Sequence, residues 1–255
     1  MINIENAKIA FSNFLKNYNM DDGKIALKVK HIYKVSEISR KIAVKNNFNE
    51  EEQKLAELIG LLHDIGRFDQ IRIYNTFIDY KSENHAELGI KILFKNGFIR
   101  KFVEDDKYDE IIKIAILNHN KGKIDDGLNQ KVLKFCKVIR DADKLDIFRV
   151  LTTEDFKDAY EKEDLSNELV TEEIVNEFMN NKYIIYKNRK TCADIMISHI
   201  AYVFDFNFGY CLEKVKNEKY IEKLVKRANY KNKDTIEKMN EIINFANTYM
   251  DKRLR

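Results

Sequence analysis

Proline is absent from all 255 residues, tryptophan is absent too, and glycine occurs only eight times. Average usage would give a chain of this length roughly 13 prolines and 18 glycines, so turn-rich sandwiches, proline linkers and collagen-like repeats are excluded together. The three cysteines, Cys136, Cys192 and Cys211, are far apart and lack C-x-x-C spacing. That excludes a disulfide framework and a zinc-thiolate site, leaving reduced core thiols. No apolar run approaches the about 18 residues that a membrane-spanning helix requires. Glu5 stands where a signal peptide would carry positive charge, so a cytoplasmic location without membrane contact is expected. An excess of one charge is lacking as well: 45 Lys+Arg face 42 Asp+Glu, a net charge of +3. What is present is a 44% hydrophobic chain, enough to build a core and, by elimination, an all-α one.

Apolar periodicity predicts helices near 3–18, 23–46, 50–64, 84–96, 107–119 and 128–150, with further helices after 151. Asn49 followed by Glu50, Glu51 and Glu52 reads as a helix cap with acids at the positive end of the dipole. The stretch 64–84, DIGRFDQIRIYNTFIDYKSEN, has neither helical nor strand period and reads as a structured crossing loop with a short helix. The lysine-rich tail interleaves its charges with Ile221, Leu224, Val225, Ile236, Ile242, Ile243 and Phe245. That is the pattern of an amphipathic packing helix and argues against a nucleic-acid surface.

Four of the five histidines, His31, His63, His85 and His119, fall on apolar helical stripes and point inward. His31 shares its face with Val35, Ile38 and Ile42, and His119 shares its face with Ile112 and Ala115. Asp64 follows His63, and Gly66 is read as permitting the turn that aims both at one point. In RDADKLDI, Asp143 continues the stripe of Val132, Cys136 and Ile139 whereas Asp141 does not. Asp146 lies near the same face, as an outer carboxylate that would orient a ligand. Unpaired imidazoles and carboxylates in an apolar interior cost on the order of 1–3 kcal/mol per group, and more for a charge. A metal ion removes that cost, and this nitrogen and oxygen donor set suits Mn, Fe, Zn, Co or Ni.

LLHDIGRF together with VIRDADKLD resembles the HD-domain metal-dependent phosphohydrolase superfamily, whose signature is a His, a His-Asp dyad and a distant Asp, all on helices. The resemblance covers about residues 20–150. It implies a helical bundle over 20–150, and because no linker marks a boundary after it, 151–255 is expected as a C-terminal helical extension packed on it in the same globule. HNKGKIDDG after His119 is similar to the HD-GYP branch, but a chain without proline lacks that element. Carried over by position, His31, His63, Asp64 and Asp143 would hold one metal ion, and Asp64 would bridge to a second held by His85 and His119. A mononuclear site, with His85 and His119 on substrate phosphate, is the alternative.

The implied chemistry is hydrolysis of a phosphate ester of a nucleotide or small phosphorylated metabolite by metal-activated water. Asp64, Arg67 and Lys121 are the expected catalytic residues. Arg67, Gln70, Arg72 and Lys123 are expected to bind substrate, with Arg140 a further cation and Tyr74 at the entrance. His199 reads as a core histidine; the alternative lays it, with Arg189 and Lys190, over the pocket as a lid. Two other functions fit the same ligands: a di-iron oxygenase of HD type, and a non-catalytic nucleotide-binding module. A homo-oligomer is compatible with the sequence.

Overall fold

The computed structural model describes residues 2–160, 162–181 and 184–255 and is helical throughout, with no strand among the described residues. The chain divides into two compact units, Met1–Asp146 and Ile147–Arg255. In the first, α1 (Ile4–Leu15), α2 (Gly23–Lys45), α3 (Glu50–Leu62), α4 (Gly66–Tyr74), α5 (His85–Ile90) and α6 (Asp109–His119) precede α7 (Gln130–Thr153), within which the division falls. The predicted segments and the observed helices agree to within a few residues. The stretch without period holds α4 and a 3-10 turn at Asp79–Lys81. Helix α4 escapes detection because its buried residues, Gly66, Phe68, Gln70 and Ile71, mix an amide with apolar groups.

Helix α2 packs along α3, and α3 also meets α1 and α6, while α4 lies against α5 and α5 against α6. Two glycines set the closest approaches. A Cβ on Gly60 would lie 2.7 Å from the Ser36 Cα, so this glycine lets α3 press onto α2. A Cβ on Gly66 would lie 2.1 Å from the His85 carbonyl oxygen and 2.4 Å from the Gly89 nitrogen. From its place after His63 and Asp64, Gly66 is expected to serve the turn itself. Among the described glycines, positive φ is confined to Gly97 and Gly127, and Gly66 is needed for a different reason, the approach of α4 to α5. Asn49 and Glu52 form a reciprocal cap at the start of α3, as the acidic run predicts. An aromatic wedge of Phe11, Phe14, Tyr18 and Phe68 joins α1 to α4.

The second unit contains α8 (Phe156–Tyr160), α9 (Glu172–Met179), α10 (Cys192–Ile200), α11 (Gly209–Asn217), α12 (Tyr220–Ala228) and α13 (Lys233–Leu254). Helix α13 lies against α9, α11 and α12. Its core is aromatic: Phe148 packs with Tyr202, Phe206 and Tyr220, and Phe204 packs with Phe178, Phe245 and Tyr249. His199 sits against Tyr160 and Tyr202, its Nδ1 3.5 Å from the Tyr160 hydroxyl. Burial, reinforced by the charge of Arg189, pushes its pKa down to about 3. Arg189 donates to the Ser198 hydroxyl at 3.0 Å. Among the described residues, no helix is long and apolar enough to cross a membrane.

Candidate metal centre

Six side chains from five places in the first unit converge on one point. Helix α2 brings His31, the end of α3 brings His63 and Asp64, α5 brings His85, α6 brings His119 and α7 brings Asp143. His63 caps α3 with helical dihedrals, and the chain bends tightly through Asp64 and Ile65 before α4 begins. The bend aims successive side chains into the same space, which an uninterrupted helix would not do.

Asp64 lies at the centre. Its Oδ2 is 3.8 Å from His31 Nε2 and 3.6 Å from His63 Nε2. Its Oδ1 is 3.3 Å from His85 Nε2 and 3.6 Å from His119 Nε2. Asp143 closes one side, its Oδ1 3.0 Å from His31 Nε2 and 3.7 Å from His63 Nε2. Donor atoms fall within 4.8 Å of one another in three overlapping groups: His31 with His63 and Asp64, His63 with His119 and Asp143, and Asp64 with His85 and His119.

The outer nitrogens are all engaged. His31 Nδ1 meets the buried Asp146 at 2.8 Å, His63 Nδ1 the Gly60 carbonyl at 2.8 Å, His85 Nδ1 Asp79 at 2.8 Å and His119 Nδ1 the Ile116 carbonyl at 2.6 Å. Carbonyls only accept, so His63 and His119 donate from Nδ1 and turn an Nε2 lone pair toward the cluster. The carboxylates assign His31 and His85 the same tautomer. His31 Nε2, His63 Nε2 and Asp64 Oδ1 are buried and have no hydrogen-bond partner among the described residues. Each such atom costs about 1–3 kcal/mol, a large share of a domain's net stability of about 5–15 kcal/mol. A divalent ion fits this donor set, because it takes up lone pairs that no proton donor satisfies.

Electrostatics favour the required protonation states. Burial pushes the His63 pKa down, and burial with the Arg67 charge pushes that of His85 down to about 3, so both imidazoles stay neutral. For Asp64, the Lys28 ammonium and the surrounding imidazoles outweigh burial and hold the carboxyl well below its usual range. The facing imidazoles of His31 and His63 do the same for Asp143. His31 is the exception, where the neighbouring carboxylates of Asp143 and Asp146 overcome burial and the Lys28 charge and raise the pKa.

The cations and amides expected around the site divide. Arg67 lies beside the cluster, its Nε 3.6 Å from Asp64 Oδ1 and its Nη1 donating to Gln70, the Phe77 carbonyl and Asp79. Gln70 is buried, with its amide spent on Asp79, Ser82 and Glu83. Arg72 pairs with Asp69 and stacks over Tyr18. Lys121 and Lys123 pair with Asp125 and Asp126 at exposed positions, and Tyr74 is exposed. Arg140 is buried and donates to the carbonyls of Asn118, Lys121 and Gly122, fixing the end of α6 that carries His119. Asp141 is buried too, but Asp143 is the carboxylate facing His31 and His63.

Two residues near the centre carry no sequence signal. Lys28, one turn before His31, places its ammonium 2.8 Å from Asp64 Oδ2 and over the Phe77 ring. Asp79 lies in the segment without period and reaches His85, Arg67, Gln70 and Asn120.

No curated protein and no solved structure matches the chain significantly. A family model does match: that of the HD domain, over residues 29–148. This span encloses all six converging residues, and over it the chain is an HD domain.

Proposed function

We propose that the first unit is a metal-dependent phosphohydrolase that cleaves a phosphate ester of a nucleotide or small phosphorylated metabolite. The observation that carries this reading is the set of four imidazoles, each with Nδ1 engaged outward and Nε2 turned toward Asp64 or Asp143. His31, His63, Asp64 and Asp143 would hold one divalent ion, and Asp64, His85 and His119 a second, drawn from Mn, Fe, Zn, Co or Ni. Bound there, the ions would supply an activated water as nucleophile and offset charge on the phosphoryl group.

The chain's own residues do the rest. Arg67 has Nη1 locked to three acceptors while its Nε is buried without a hydrogen-bond partner. That leaves a preoriented donor for a non-bridging phosphate oxygen. Lys28 adds a second positive charge on the other side of Asp64. Asp146 and Asp79 keep His31 and His85 in the ligating tautomer.

The test is phosphate release from a panel of nucleotides and phosphoesters by purified protein supplied with Mn²⁺ or Fe²⁺. Turnover should appear with at least one substrate and fall to background in His63→Ala and Asp64→Ala. Turnover that survives both substitutions would overturn the assignment.

A further inference from the structure

The four imidazoles are not held alike. His63 and His119 donate to carbonyls of their own helices, Gly60 and Ile116, which stay put as long as the helices do. His31 is held by Asp146, which is buried on the same helix as Asp143. His85 alone depends on a loop: its Nδ1 is 2.8 Å from both oxygens of Asp79, at the start of the Asp79–Lys81 turn.

The same carboxylate accepts from Arg67 Nη1 at 3.0 Å, Gln70 Nε2 at 2.9 Å and Asn120 Nδ2 at 3.3 Å. Every side-chain hydrogen bond described for Asp79 therefore leaves its own turn, toward α4, α5 and the end of α6. Gln70 already anchors the loop without it, through Ser82 Oγ and the Glu83 carbonyl, each at 2.9 Å. Loop anchorage thus leaves the aim of Asp79 at His85 unexplained. A carboxylate on Nδ1–H fixes the imidazole tautomer and makes Nε2 a better donor. Here it also fixes the guanidinium that lies beside Asp64.

We propose that Asp79 is a positioning residue that sets the metal affinity of the His85–His119 side of the cluster and the aim of Arg67. The inference rests on the two-ion reading above and deepens it. Two ions then bind in unequal steps, first on the side oriented by buried Asp146, second on the side oriented by a loop.

Calorimetric titration with Mn²⁺, with bound metal counted by elemental analysis, tests this on the full chain. Wild type should take up two ions in two resolvable steps. In Asp79→Ala the first step should stay within about twofold, while the second weakens by about 10–100-fold, the usual cost of losing an outer carboxylate. Asp79→Asn, which keeps an acceptor oxygen but not the charge, should fall between. Ser82→Ala, which loosens the loop anchor alone, should bind as wild type does. Should Asp79→Ala fail to fold by circular dichroism, Asp79→Asn decides on the same criterion.

Equal second steps in wild type and the Asp79 variants would overturn the inference and leave the function standing. A Ser82→Ala defect as large as that of Asp79→Ala, or a wild type that stops at one ion, would overturn it too. A wild type that binds no Mn²⁺ would sink the proposed function and the inference together.

Discussion

The two units of this chain solve the problem of buried polarity in opposite ways. In Ile147–Arg255 the one buried carboxylate among the described residues is Asp194. It is fully employed, accepting from the backbone nitrogens of Thr171, Lys190 and Thr191. In Met1–Asp146, four histidines and several charged groups are buried, and all five unsatisfied buried side-chain atoms described for the protein lie there. Polar burial in the second unit is structural, closing a capping box at the start of α10. In the first unit it is only half closed, with outer atoms bonded and inner atoms open. Sites that bind and react are built this way, at a cost in stability.

That contrast can be broken in several places. The largest expected effect is on turnover: His63→Ala or Asp64→Ala should abolish phosphate release while leaving hydrogen-exchange protection of the second unit unchanged. Next comes metal removal. At free metal about 1,000 times its Kd, bound ion stabilises by about 4 kcal/mol, so chelation should lower the unfolding temperature and deprotect α3, α5 and α6 in hydrogen exchange. Equal loss of protection in both units would erase the distinction.

Gly66→Ala should cost about 1–3 kcal/mol through overpacking, because the added methyl meets the His85 carbonyl. Metal titration should show a loss on the His85 side beyond what stability alone predicts. Asp194→Ala should cost about 2 kcal/mol through lost backbone hydrogen bonds, with metal stoichiometry unchanged in elemental analysis.

The smallest effect concerns acid. His199 titrates near 6.5 when unfolded and at about 3 when folded, so between those values the unfolded chain holds more protons. Its contribution is intact above pH 6.5 and is lost as pH falls toward 3. Denaturant unfolding at pH 7 and pH 5 should show a smaller acid-induced loss in His199→Gln than in wild type.

How much of this was legible beforehand follows from where information sits in a sequence. His31, His85, His119 and Asp143 announce themselves because each shares an apolar stripe at helical spacing, and that phase alone gives their direction. The HD pair was readable because the bend after α3 lies at a helix end. Asp79 and Lys28 were not readable. Asp79 lies in a stretch whose order comes from side chains reaching back to Gln70 and Arg67, and Lys28 reaches Asp64 through tertiary approach. Gln70, expected at the substrate entrance, is spent inside the protein on the loop for the same reason. Periodicity records which face a residue occupies, not how far a polar side chain reaches or what it meets.

Elemental analysis of protein purified without chelator tests the central claim most directly. Transition metal should be present at one to two equivalents per chain in wild type and absent from a His63→Ala/Asp64→Ala double variant that keeps its helical circular dichroism. A folded wild type with no transition metal, and no uptake on adding Mn²⁺, Fe²⁺ or Zn²⁺, would contradict it.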